Sequence, residues 1–283
     1  MVKYIPSSLD DALKFLAKHD AYIVAGGSDL MVAKRNSAGL LPLFDKDVLY
    51  IANLEETKRI YRDEEGIHIG ATATLDEIYK DENTPKLLKK AIGEVASVNI
   101  RHFATLAGNI ANASPAGDTI VVDYLLDAKI KLQSVRGVRI VEAKDFVLGI
   151  RKIDRKPDEM IVEIIFPKYH LDGYMWYKVG SRKADSISKV TVAGAYKISG
   201  KTVTKFALAF GSVAITVRRS EELEKEIEGL DVGTLNVRKE EFVEKYGKII
   251  SPIDDQRSNK EYRQKVAMNI CRKFIEQVVE AAK

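Results

Sequence analysis

The chain is 283 residues long, more than a single hydrophobic core usually organises, so two or three substructures are expected. Its 45 basic and 41 acidic residues leave a formal net charge of +4 and are mixed along the sequence, which fits a solvated surface and argues against the concentrated basic face of a nucleic-acid binder. A single cysteine, Cys271, rules out an internal disulfide or a cysteine-ligated iron–sulfur cluster held by this chain alone, and no run of about 18 apolar residues offers a membrane span.

The opening residues, Met1 to Pro6, have no apolar stretch of the secretory kind, so no signal peptide is expected, and the cytoplasm is the natural compartment for a chain with one buried-type cysteine. Ser7 to Lys18 reads as a helix, with Leu9, Ala12, Leu13 and Leu16 on one face and Ser8 with Asp11 at its start. Ala21 to Ala25 reads as a short strand that runs into Gly26-Gly27-Ser28-Asp29-Leu30. Paired glycines after a strand expose amides to an anion, yet they also make an ordinary tight turn. No Gly-x-Gly-x-x-Gly and no Gly-Lys-Ser/Thr is present, so neither a Rossmann fingerprint nor a P-loop is available.

Strands are expected at Val48 to Ala52 and Gly66 to Ala71. Thr74 and Glu77 are spaced to cap a helix over Leu75 to Lys80, and Pro85 opens another that runs to about Ser97. Phe103 to Asp118 has a different character. Its apolar residues are small spacers between Thr105, Gly108, Asn109, Ser114 and Asp118. Such a loop lets a ligand approach the backbone and offers neutral donors and acceptors, which suits a sugar, a ribityl chain or a diphosphate. The same signals describe a plain loop ahead of a helix starting near Pro115.

A helix follows over Ile120 to Leu126, then strands at Lys129 to Ser134, Val138 to Glu142 and Met160 to Phe166, and a linker from Pro167 to Asp172. Tyr174 to Val179, Val190 to Ile198 and Val203 to Gly211 read as three consecutive strands. Helices are expected over Glu221 to Glu228, Val237 to Tyr246 and Asn259 to Ala281. The pattern is α+β. His19, His68, His102 and His170 lie far apart and show no metal-ligand spacing, with only His102 near the small-residue stretch. Ser28, Ser114 and Ser181 lack a nucleophile elbow, so no catalytic side chain is assigned.

Together these stretches resemble the FAD-binding subunit of the molybdenum hydroxylases, the relatives of xanthine dehydrogenase, carbon monoxide dehydrogenase and aldehyde oxidoreductase. Val24 to Leu30 resembles the family's first flavin loop. Ile100-Arg101 through Thr105-Leu106-Ala107-Gly108-Asn109-Ile110 to Asp118 resembles its second. Tyr177 to Lys183 with Val192-Ala193, and Pro252 to Ser258 with Glu261-Tyr262-Arg263, resemble the start and the late signature of its C-terminal domain. The likeness covers nearly the whole chain. Two departures are Ala107, where the family usually has glycine, and Ser28, where threonine is common.

The resemblance implies a two-lobed FAD-binding domain of the vanillyl-alcohol-oxidase/PCMH type over residues 1–55 and 56–172, followed by a C-terminal domain over 173–283 with a three-stranded antiparallel sheet and helices. It implies FAD as cofactor, with Ile23, Val24, Ala25, Gly26, Gly27, Ser28, Asp29 and Leu30 around the diphosphate. Thr105, Gly108 and Asn109 would hold the ribityl and diphosphate portion, with Ser114 as a weaker candidate. Asp118 would accept from ribose or adenine, Ile161 would meet an apolar ring face, and Lys178 would sit near the flavin pyrimidine. No basic residue lies between Ile23 and Leu30, so oriented amides are expected to meet the phosphates there. The resemblance also implies partner chains: a large molybdenum subunit, a small subunit with two 2Fe–2S clusters, and an external electron acceptor, assembled as a dimer of three-chain units. A self-contained FAD oxidoreductase of the same fold and a scaffold that has lost its flavin are the alternatives.

Overall fold

A computed structural model describes residues 2–282. In chain order the first elements are β1 (Lys3–Tyr4), α1 (Leu9–Leu16), β2 (Ala21–Val24), α2 (Leu30–Ala33), β3 (Asp47–Tyr50), β4 (Ile60–Arg62), β5 (Gly66–Gly70), α3 (Leu75–Lys80) and α4 (Lys86–Gly93). The middle of the chain forms α5 (Val98–Arg101), α6 (Leu106–Asn112), α7 (Asp118–Leu125), β6 (Lys129–Ser134), β7 (Gly137–Glu142), α8 (Ala143–Phe146), β8 (Val147–Gly149), β9 (Lys152–Ile153) and β10 (Met160–Pro167). The last part forms β11 (Gly173–Val179), β12 (Val190–Ser199), β13 (Thr202–Gly211), β14 (Arg218–Arg219), α9 (Glu221–Ile227), α10 (Val232–Val237), α11 (Lys239–Ile249) and α12 (Lys260–Glu280).

Contacts gather these elements into two units. The first holds the described residues up to Pro85 with Ala96–Ala113 and Asp127–Lys168. The second holds Lys86–Val95, Ser114–Leu126 and the described residues from Tyr169 onward. This grouping is not a cut at residues 55 and 172, because two short segments between those positions pack with the C-terminal part.

In the first unit β1, β3 and β2 form a parallel sheet in that order. Ser8 caps α1 by accepting from the Asp11 amide at 3.1 Å, and Ala12, Leu13, Phe15 and Leu16 turn inward against Leu49, Ile51 and Leu54. Burial of each large side chain there contributes about 1.5–3 kcal/mol. A five-stranded sheet in the order β4-β5-β10-β6-β7 follows, antiparallel throughout. Its central strand β10 has seven buried residues in succession, Met160 to Phe166, as a strand covered on both faces requires.

In the second unit β11-β12-β13-β14 form an antiparallel sheet, with β14 a fourth, two-residue strand beyond the three expected. The two faces of this sheet differ in side-chain size. Val192, Tyr196, Phe206, Leu208 and Phe210 join a core with Phe242, Tyr246 and Phe274 of the helices. A side chain at Gly194 would lie 2.5 Å from the Phe274 ring, so the glycine makes room for α12. The alternate residues Thr191, Ala193, Ala195, Ala207, Ala209 and Gly211 are small. α7 packs close on that face, where a side chain at Gly211 would meet Val121 at 2.5 Å.

Two expected helices and one expected loop are redrawn. The one from Pro85 to Ser97 stops at Gly93. Ala96 then takes φ +44, and Ser97 caps the separate α5 by accepting from Ile100. The helix expected from Val237 to Tyr246 runs from Lys239 to Ile249 as α11, and the short helix α10 before it was not expected. The Phe103 to Asp118 stretch, expected as a loop, folds over residues 106–112 into α6.

Candidate functional site

β2 delivers the chain to a cavity of about 580 Å³ in the first unit, at the carboxyl end of a parallel strand, where open α/β sheets usually bind ligands. Every expected residue from Ile23 through Leu30 lines it, with Thr105, Gly108, Asn109 and Ile161. The two glycines have different reasons. Gly27 takes φ +64, the left-handed region that side chains avoid. A methyl at Gly26 would lie 1.8 Å from the Phe103 carbonyl oxygen, so the glycine lets the first loop touch the segment that leads into α6. Among the described residues the amides of Gly26, Gly27 and Ser28 donate to no protein acceptor, which leaves three donors bordering the cavity.

The second wall is α6. Its N-cap is Thr105, extended at φ −117 and ψ 155, whose hydroxyl accepts from the Gly108 amide at 2.9 Å. Leu106 and Ile110 are buried, while Gly108 is exposed and Asn109 half-buried beside the cavity. The Thr105 hydroxyl, expected to face a ligand, is thus already engaged in holding the helix. Thr74 pairs with Thr105 across a β-bridge, and the Ala104 carbonyl accepts from the Leu75 amide at 2.7 Å, so α6 is anchored on the start of α3. Ala107 lies in helical backbone, where a methyl group is at home.

The third wall comes from a hairpin that sequence reasoning missed. β8 and β9 bring Arg151, Lys152 and Ile153 to the cavity, and Arg155 follows. The first loop, Ile23 to Leu30, carries no cation, but the hairpin brings cations to the same cavity from far along the chain. Arg151 takes φ +57, its amide donates to the Ala113 carbonyl at 3.1 Å, and its guanidinium meets Asp29 at 2.7 Å. The Arg155 guanidinium donates to the carbonyls of Lys156, Pro157 and Glu159, and burial pulls its pKa down. Adjacent Arg and Lys in a hairpin turn were the only signal, and surface turns share it.

A second hollow of about 330 Å³ borders the same glycines and is lined by Met31, Phe44, Tyr50, His102 and Phe103 among others. His102 is exposed, with its ring Nδ1 at 2.8 Å from the Val98 carbonyl oxygen.

The remaining expected residues, Ser114, Asp118 and Lys178, belong to the second unit. The Lys178 ammonium donates to Asp118 at 2.7 Å and to the Glu94 carbonyl at 2.6 Å. Asp118 also accepts from Ser188 at 2.5 Å and from Thr191 at 3.4 Å. Burial pushes the Asp118 carboxyl up from its ordinary value, with Lys178 pulling the other way. Both side chains are sealed, at 4% and 8% exposure. The Ser114 hydroxyl accepts from the Ala116 amide at 3.3 Å, a turn-forming bond.

The lining of the large cavity fits a dinucleotide carrying a diphosphate. Three amides without partners and the Arg151 and Lys152 side chains meet anionic charge, and Ile23, Val24, Ile153 and Ile161 supply apolar surface for a ring. Among the described residues no cluster of His, Cys, Asp and Glu is arranged to hold a metal ion, and no helix is long and apolar enough to cross a membrane.

Comparison with known proteins agrees with this chemistry. Residues 2–169 match the family model of the FAD binding domain in molybdopterin dehydrogenase, and residues 175–278 match that of the CO dehydrogenase flavoprotein C-terminal domain. The chain is 31% identical to the glyceraldehyde dehydrogenase medium chain of Sulfolobus acidocaldarius over 96% of its own length and 95% of the relative. It is 29% identical to a xanthine dehydrogenase FAD-binding subunit of Escherichia coli over 98% of its length and 95% of the relative. Its fold superposes on a chain of reconstituted CO dehydrogenase from Oligotropha carboxidovorans with a TM-score of 0.89, covering 99% of this chain and 98% of that one at 24% identity. The chain belongs to the family of FAD-binding subunits of the molybdenum-containing dehydrogenases, flavoprotein oxidoreductases whose cofactor is FAD.

Proposed function

We propose that this chain is the electron-transfer station of a multi-subunit molybdenum hydroxylase: it receives electrons from a small iron–sulfur subunit and passes them to an external acceptor. The observation that carries the reading is the meeting of the glycine turn, α6 and the basic hairpin around one cavity of dinucleotide size. FAD, when bound, supplies the redox chemistry, because it exchanges electrons in ones or twos. The chain's own residues bind and orient it. The amides of Gly26, Gly27 and Ser28 meet the diphosphate, Asn109 borders the polar chain, and Ile161 lies against an apolar face. For Ser114, Asp118 and Lys178 the support as FAD ligands is the family resemblance alone, since within the second unit their polar atoms have protein partners.

With one cysteine the chain holds no iron–sulfur cluster of its own, and as a lone flavin subunit of its family it takes its electrons from partner chains. The large molybdenum subunit then sets the substrate, the small subunit holds the two 2Fe–2S clusters, and the assembly is a dimer of three-chain units in the cytoplasm. The test is a visible spectrum of the complex purified from its native cell, with FAD released on denaturation and with molybdenum and iron assayed. FAD, molybdenum and iron in one complex, bleaching together on reduction, is the expected result. A complex free of FAD sinks the reading. Full turnover of a small substrate by this chain alone favours a self-contained flavin enzyme instead.

A further inference from the structure

Asp29 and Arg151 pose a problem that the cofactor reading leaves open. Asp29 is the one acidic residue lining the cavity, in the loop that borders the phosphates, where a carboxylate repels a diphosphate. Resting on the FAD reading, we propose that Asp29 is not a ligand of the cofactor but the internal counter-ion of Arg151. On this view Arg151 is a diphosphate-binding residue whose guanidinium exchanges the carboxylate for a phosphate oxygen when FAD enters.

Four observations support this. The guanidinium Nη1 lies 2.7 Å from Asp29 Oδ2, and its other contact, to the Asn112 carbonyl, is long at 3.4 Å. Both side chains of the pair are 54% exposed, so water competes for each and the pair opens at little cost. The backbone of Arg151 is pinned by its positive φ and by the bond from its amide to Ala113, so a swing of the side chain moves only the guanidinium. The neighbouring Arg155 is less free to swing, because three carbonyls already gather around its Nη1. An arginine fork suits two phosphate oxygens as well as it suits a carboxylate.

The exchange makes opposite predictions for the two partners. FAD binding to the full apo-chain is followed by quenching of flavin fluorescence at low and high salt, with circular dichroism as a check on folding. Arg151→Met is expected to weaken FAD by roughly tenfold and to flatten the salt dependence. Arg151→Lys restores part of the loss. Asp29→Asn is expected to bind FAD more tightly than the wild type, by a few-fold, since the competing carboxylate is gone. Unchanged affinity in Arg151→Met, or an Asp29→Asn loss matching that of Arg151→Met, overturns the exchange while leaving the FAD assignment intact. A wild-type chain that takes up no FAD, alone or in its complex, overturns both.

Discussion

In the first unit Arg151 meets Asp29 at 2.7 Å with 54% of each side chain exposed. In the second unit Lys178 meets Asp118 at the same 2.7 Å with 4% and 8% exposed. Equal distances conceal unequal energetics. The exposed pair trades one hydrated state for another and is worth at most about 1 kcal/mol. The sealed pair has lost its water, so removing one member strands a charge and costs about 3–5 kcal/mol. The second unit repeats this device. Arg219 grips Glu224 through two nitrogens at 2.8 and 2.9 Å, 9% and 3% exposed, and donates to the Tyr124 and Leu125 carbonyls at the end of α7. Arg263 donates to the Lys189 and Ser212 carbonyls and to Asp255. Lys178, Arg219 and Arg263 of the second unit serve as fasteners, whereas Arg151 of the first borders a cavity and stays exchangeable.

The largest expected effect tests the fastener side. Arg219→Met keeps the side-chain length but leaves the Glu224 carboxylate buried and two helix carbonyls without their donor, for a loss of about 3–5 kcal/mol in urea unfolding. A loss below about 1 kcal/mol would show that burial does not separate the two kinds of pair. Gly26→Ala comes next, on the cavity side. Its methyl meets backbone, not a flexible side chain, so the loop and the 103–104 segment must part. Destabilisation of about 2–4 kcal/mol with loss of FAD retention is expected, read from the flavin-to-protein ratio after gel filtration.

A sealed acid with no cation beside it sharpens the contrast. Asp123 is fully buried on α7, neither carboxyl oxygen has a hydrogen-bond partner among the described residues, and burial raises its pKa well above the ordinary value. Below about pH 4 the acid is protonated in the folded and unfolded chains alike and contributes no difference. Above that pH the unfolded chain releases the proton and the folded chain keeps it. Stability is therefore lost progressively as pH rises, until the raised folded pKa is passed. Asp123→Asn removes this penalty. The variant is expected to match the wild type near pH 4 and to exceed it by about 1–3 kcal/mol at pH 7. A gap that is absent at pH 7, or larger at pH 4, would mean that Asp123 is ionised in the folded chain.

The same division separates the features that were legible in the sequence from those that were not. Local chemistry was legible: Thr74 and Glu77 form a complete capping box on α3, α12 starts just after Asn259, and the three long strands of the second unit lie where they were expected. Features made by distant parts of the chain were hidden. Arg151 lies 122 residues from Asp29, and no spacing rule connects them. Gly26 reads as a phosphate-loop glycine, but its closest constraint is the Phe103 carbonyl. α6 was masked because Gly108 and Asn109 are poor helix formers, and its stability comes from the Thr105 cap and the burial of Leu106 and Ile110.

That cap gives the smallest and most local test. Thr105→Ala removes the acceptor for the Gly108 amide and is expected to cost about 1 kcal/mol, whereas Thr105→Ser keeps the oxygen and most of the stability. The binding readout separates two roles for the same hydroxyl. If Thr105 only holds α6, FAD affinity in the two variants falls in step with the loss of helix stability, and Ser behaves like Thr. If the hydroxyl also donates to the cofactor, Thr105→Ala loses more affinity than stability. The first outcome is expected, because the oxygen already accepts the amide at 2.9 Å and the residue is only 4% exposed, which leaves little of it to meet a ligand. A Thr105→Ala chain of unchanged stability that fails to bind FAD would reverse the assignment. It would also move Thr105 from the fasteners to the exchangeable groups that border the cavity.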